Sequence, residues 1–139
     1  MITAEIITIG TEIVLGQVLN TNASSIAKAL TEQGILVRFQ TSVGDDKESL
    51  KSVLKIAVDR VDLIIATGGL GLTENDITRE VISDFFGLRL VHNEEEYVRI
   101  QQCMDDHRAH RMHDDNKQAF IVEGALVIPN EHGSAIGFA

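Results

Sequence analysis

The chain has 139 residues, 44% of them hydrophobic, and a formal charge of −9 at neutral pH. That length fits one domain burying about two-thirds of its unfolded surface, no apolar run nears the roughly 18 residues of a spanning helix, and the acidic balance disfavours the basic face that nucleic-acid backbones require. Cys103 is the only cysteine, so no internal disulfide forms and a reducing cytoplasm is the expected setting.

Taken in chain order, β-like and helical runs alternate. AEIITIG (4–10) has the pattern of a strand. NTNASSIAKALTEQG (20–34) has that of a helix, with Ala23, Ile26, Ala27 and Leu30 on one stripe and Gly34 at its C′ position. ILVRFQTSV (35–43) is a second strand. KESLKSVLKIAVDR (47–60) is a helix turning Leu50, Val53, Leu54, Ala57 and Val58 inward. VDLIIAT (61–67) is apolar enough for a parallel strand covered on both faces. DITREVISDFFG (76–87) is an amphipathic helix through Ile77, Val81, Ile82 and Phe85, and LRLV (88–91) is a short edge strand. EEEYVRIQQCMDDHRAHR (94–111) is a charged helix with a thin apolar stripe at Tyr97, Ile100 and Met104. NKQAFIVEGALVIPN (116–130) is a short helix, a turn and a strand. This alternation predicts right-handed crossovers and a mainly parallel sheet in one α/β domain.

Ligands of open parallel sheets bind beyond the carboxyl ends of the strands. Here those ends share a pattern of glycine followed by polar or acidic residues: Gly10, Thr11 and Glu12; Gly44, Asp45 and Asp46; and Gly68, Gly69, Leu70 and Gly71, then Thr73, Glu74, Asn75 and Asp76. A glycine-rich loop opening a helix offers unobstructed N–H groups and a partial positive charge to a phosphate. Glu12, Asp45, Asp46 and Asp76 supply hard oxygen ligands for a magnesium-like or manganese-like ion. Asn20 and Asn22 are placed to read ribose or base edges, and Arg79 and Lys117 are the cations available to offset phosphate charge. The same residues also fit plain structural roles. Thr73 and Asp76 have capping-box spacing, and Asp45, Asp46, Asn20 and Asn22 all stand where helix caps belong. His107, His110 and His113 recur every third residue, which drifts around a helix and fits a solvated face better than a zinc site.

IITIGTEIVLGQVLNTNASSIAKAL, TSVGDD, ATGGLGLTENDITRE and NKQAFIVEGALVIPN…GSAIGFA, in that order, resemble the N-terminal domain of the CinA family. That domain belongs to the wider molybdopterin-binding group with MogA, MoaB and part of MoeA. The resemblance implies a three-layer α/β/α domain that usually self-associates, with the Gly68–Gly71 loop, Asp45 and Asp76 lining the ligand site. It also implies hydrolysis of ADP-ribose to AMP and ribose 5-phosphate with cobalt, magnesium or manganese. On that expectation Glu12, Asp45 and Asp76 hold the metal, the glycine loop with Thr11 and Thr73 cradles the pyrophosphate, and Lys117 or Arg79 offsets charge. The alternatives are a molybdopterin-binding domain of cofactor biosynthesis and a non-catalytic nucleotide-binding or assembly module. Where the family typically reads GGLGPTPDD this chain has GGLGLTEND, which removes two prolines and one acid. Ile136 also replaces a proline near the end, where family domains usually continue.

Overall fold

In the computed structural model, residues 1–106 and 117–139 are described, and the chain divides into two units, Met1–Gly69 and Leu70–Ala139. The first unit is built on β1 (Thr3–Ile9), whose run of β-branched residues favours extended backbone and leaves Ala4, Ile6 and Ile7 with no exposed surface. β1 lies between β2 (Leu36–Val43) and β3 (Leu63–Thr67), parallel to both. β3 is half-buried along its whole length instead of covered on both faces. It is an outer strand of the sheet, so the doubly buried position falls to β1.

The helices of this unit begin where side chains satisfy the otherwise unpaired first N–H groups. A single turn, α1 (Thr11–Val14), follows β1. α2 (Thr21–Glu32) is capped by Asn20, whose Oδ1 accepts from the Ala23 N–H at 3.1 Å, and it ends before Gly34 at φ 76°. α3 (Lys47–Val58) is capped by Asp46, whose Oδ1 accepts from Ser49 N at 2.7 Å. Leu50, Leu54 and Ala57 are buried as their spacing predicts, but Val58, the last helical residue, stays 40% exposed.

One charged group of this unit lies fully inside. Glu5, 0% exposed, receives both Nε (2.8 Å) and Nη2 (2.6 Å) of Arg60 and the Thr41 hydroxyl (2.6 Å). The Arg60 guanidinium also lies 3.8 Å over the centre of the Phe39 ring, so the pair is bidentate, hydrogen-bonded and roofed.

In the second unit α4 (Thr78–Phe86) ends at Gly87, left-handed at φ 66°. β4 (Leu90–His92) pairs with β5 (Phe120–Val122), and β6 (Val127–Ile128) pairs with β7 (Gly137–Phe138), both antiparallel. The stretch expected to hold one strand therefore holds two, separated at Gly124 (φ 81°), and among the described residues the parallel arrangement is confined to β1, β2 and β3. Between β4 and a 3-10 turn at Lys117–Ala119 runs α5 (Glu94–Asp106). Its N-terminus is held by the Asn93 side chain, which accepts from Glu96 N at 3.0 Å. From α5 the Arg99 guanidinium grips the loop before β7, donating Nη1 to Gly133 O (3.1 Å) and Asn130 O (3.3 Å) and Nη2 to Ser134 O (2.7 Å). Its Nε donates to Glu96 at 2.7 Å. Ile136, the proline replacement, is a core residue at 1% exposure. His107, His110 and His113 lie outside the described residues. Among the described residues, no helix is long and apolar enough to cross a membrane.

Candidate functional site

Parallel pairing brings the carboxyl ends of β1, β2 and β3 level. Ile9 stands opposite Val43, Thr8 opposite Thr67, and the Gly10 N–H donates to Val43 O at 2.9 Å. Gly10–Glu12, Gly44–Asp46 and Thr67–Gly68 therefore share one edge, as the sequence pattern implied. Gly68 is required there. Its φ is 102°, and a Cβ on it would stand 2.0 Å from the Ile9 carbonyl oxygen.

Two of the expected ligand groups on this edge are engaged with the backbone. The Asp45 carboxylate accepts from Thr11 N at 3.0 Å while the Thr11 hydroxyl accepts from Asp45 N at 3.1 Å, a reciprocal lock between the loops after β1 and β2. Asn20 uses both ends of its amide, accepting from Ala23 N and donating to the Thr8 hydroxyl at 2.9 Å. Beside them opens a cleft of about 190 Å³. Its lining includes Glu12, Asn22, Thr67 and Gly68 and the apolar Ile13, Val18 and Leu19. The apolar members were missed in the sequence, because in TEIVLGQVLN they follow no simple stripe.

The loop that opens the second unit is ordered by Asp76. Its Oδ2 accepts from Thr73 N (2.9 Å) and the Thr73 hydroxyl (2.6 Å), and it also draws on the Gly71 N–H. Thr73 and Asp76 thus bond as in a capping box, but α4 begins only at Thr78, so the pair braces the loop and not a helix start. Gly71 makes the room, since a Cβ there would meet Asp76 Oδ2 at 2.6 Å. Burial pushes the Asp76 carboxyl up, yet the hydrogen bonds from Thr73 and Gly71, together with the Lys117 charge, outweigh it and hold the group below the usual carboxylate range. Lys117 Nζ donates to Thr73 O at 3.0 Å and to Asp76 O, and pairs with Glu80 at 3.4 Å. It therefore acts on the loop backbone.

Arg79 is not at the surface; it is 1% exposed, and Nη1 donates to Lys117 O at 3.1 Å. Its Nε and Nη2 are buried without a partner among the described residues, as is Gln118 Oε1. Burial pulls the guanidinium down from its usual range. Gln118, which the sequence pattern did not single out, holds Leu70 O at 3.3 Å. Glu12 and Asp45 belong to the first unit and Asp76 to the second. Among the described residues, no three His, Cys, Asp or Glu side chains converge as a metal centre would need.

This bonding predicts the effect of losing Asp76. Asp76→Ala should leave both units folded but open the loop about tenfold more often, read as tenfold faster amide exchange at Leu72–Asn75. Unchanged exchange would show that the loop is ordered by something else.

Residues 5–128 match the family model described as probable molybdopterin binding domain. A CinA-like protein of Dictyoglomus thermophilum is 47% identical over 133 residues, covering 96% of this chain and 32% of the relative. A putative competence-damage inducible protein of Caldicellulosiruptor bescii is 47% identical over 134 residues, covering 96% and 33%. The chain therefore spans about a third of the length of these relatives. Among solved structures, CinA of Thermoplasma acidophilum, a protein of unknown function, is 30% identical with a TM-score of 0.83, covering 98% of this chain and 79% of that one. The tungsten cofactor synthesizing protein MoaB of Pyrococcus furiosus, 18% identical with a TM-score of 0.59 over 99% of this chain and 80% of its own, shares the fold.

Proposed function

The chain belongs to the molybdopterin-binding domain family, in its CinA branch, and on that premise we propose that it binds a phosphorylated pterin of the molybdopterin type. The observation that carries this is the levelled edge of three parallel strands, which opens a cleft and launches the glycine loop from Gly68. The loop N–H groups that Asp76 does not take, those of Gly69 and Leu70, hold the phosphate. Asp76 and Lys117 keep the loop in shape, a positioning role that their hydrogen bonds support.

Metal-dependent hydrolysis of ADP-ribose is the less favoured reading. It asks Glu12, Asp45 and Asp76 to converge on an ion, whereas Asp45 and Asp76 each accept backbone N–H bonds where they stand. The test is calorimetry with pyrophosphate and with 6-hydroxymethylpterin phosphate on the purified chain. Both should bind, and Gly71→Ala, whose Cβ evicts the Asp76 carboxylate, should weaken both by about tenfold. Release of AMP from ADP-ribose with cobalt, magnesium or manganese would make the domain a hydrolase and overturn the purely binding role.

A further inference from the structure

We propose that the cleft of the first unit recognises a planar ring with a 2-amino-4-oxo edge, as in pterin or guanine, and that Glu12 is the residue that reads it. The proposal deepens the pterin-binding function and rests on it for the choice of ring.

The lining chemistry is unusual for a site that only holds phosphate. Among the described residues, Glu12 is its sole charged lining residue, with no Lys, Arg or His beside it. A phosphate placed there would face a carboxylate with no counter-charge. The favoured group is one that donates N–H bonds. The apolar surface fits the faces of a flat ring, because Val18 and Leu19 line the cleft while remaining 52% and 84% exposed. Covering them would remove that apolar area from water.

Of the polar lining groups, Asn20 already accepts from Ala23 N and donates to Thr8, while Thr21, Asn22 and Thr67 are uncharged. Glu12 differs. Its carboxylate lies over Gly10, where a Cβ would stand 2.6 Å from Oε1. Gly10 has an extended φ of 164° that any residue adopts, so the feature this glycine supplies is room for the carboxylate. Gly71 does the same for Asp76, but the Asp76 carboxylate is filled by loop donors. No such bond to Glu12 occurs among the described residues, and its exposed carboxylate is open to a ligand that enters the cleft.

A carboxylate accepts two parallel N–H bonds and donates none. The ring N–H and exocyclic amine of pterin and guanine present that donor pair, and the bonds are charge-assisted. Adenine offers one donor beside an acceptor nitrogen, which sets a lone pair against a carboxylate oxygen. Hypoxanthine lacks the amine. The cleft therefore selects by ring edge, the kind of discrimination that hydrogen-bonding sites achieve best.

The test titrates the whole chain with probes lacking phosphate: 6-hydroxymethylpterin, guanosine, inosine and adenosine. Pterin or guanosine should bind about tenfold more tightly than inosine and adenosine, and the tighter of the two identifies the ring. Glu12→Gln places a donor beside an acceptor and should shift the preference towards adenosine. Gly10→Ala keeps the charge but displaces the carboxylate, and should weaken pterin binding about threefold with an unchanged unfolding midpoint. Equal binding of guanosine and adenosine, indifference of pterin to Glu12→Gln, or no binding of any probe would each overturn the proposal. Pyrophosphate binding separates the two readings. Its loss with ring selectivity retained removes the phosphate role alone, and its presence without selectivity removes the Glu12 assignment alone.

Discussion

Gly68→Ala should destabilise the chain by about 3–4 kcal/mol, the sum of a backbone conformation that L-residues resist and an overpacked contact. The φ of 102° lies outside the regions open to alanine, and the added Cβ would fall 2.0 Å from the Ile9 carbonyl oxygen. That oxygen belongs to the end of β1 and cannot swing aside as a side chain can. Relief requires β1 and β3 to part where Thr8 faces Thr67, which also distorts the cleft that Gly68 lines. Urea unfolding would measure the loss, and pterin phosphate binding should fall with it. Gly124→Ala is the control. Its φ of 81° is also positive, but nothing lies within 4 Å of the added carbon, so it should lose only about 1 kcal/mol. Equal losses at the two positions would mean that the Ile9 contact contributes nothing.

The second large effect is expected from Arg60→Met. It leaves the Glu5 carboxylate, 0% exposed, with the Thr41 hydroxyl as its remaining partner. An uncompensated buried charge costs about 3 kcal/mol or more, here at the low end because water follows into the space of a partly exposed arginine. Adding Glu5→Leu should restore stability to within about 1 kcal/mol, since a buried pair replaced by apolar groups is often neutral. The pH dependence should change sign. In the native chain burial pushes the Glu5 carboxyl up, but the hydrogen bonds of Arg60 and Thr41 outweigh it and hold the group below its ordinary range. A lowered folded pKa gives stability that is present above the ordinary carboxylate range and lost as pH falls through the lowered value. Without Arg60, burial dominates and the folded pKa rises, so the variant gains stability as it is acidified. The gap between native and variant midpoints should therefore be widest near about pH 7 and close towards about pH 4. A gap constant with pH would show that Glu5 is not the group left uncompensated.

What the sequence made legible was local. Asn20, Asp46 and Gly87 stand at helix ends because a cap acts within three or four residues, and their signals survive folding. The shared edge of Gly10, Gly44 and Gly68 also followed from the alternation of strands and helices, since parallel pairing needs little beyond it. The antiparallel partnerships of the second unit were not legible. Leu90 meets Val122 through pairing that no local pattern encodes. Charge was the least informative property. Arg79 has the look of a surface cation, yet Thr78, Arg79 and Val81 are all buried, so the start of α4 is embedded on more than its apolar stripe. Glu5 and Arg60 drew no notice in the sequence for the complementary reason: a lone acid in an apolar strand signals a buried partner, but not which of the cations 55 residues away supplies it. The Asp76 brace was half legible, its spacing from Thr73 being plain and its use within a loop being a matter of where α4 starts.

The Arg99 fork fixes the permitted length of the segment it holds. Its guanidinium takes carbonyls from Asn130, Gly133 and Ser134 at once, and a residue inserted among them moves at least one carbonyl, by about 3.5 Å of chain, beyond reach. The stretch from 130 to 134 is therefore a poor place to lengthen the protein or splice in a tag. The turn at Gly124, open on the side a Cβ would occupy, is a better place for added sequence.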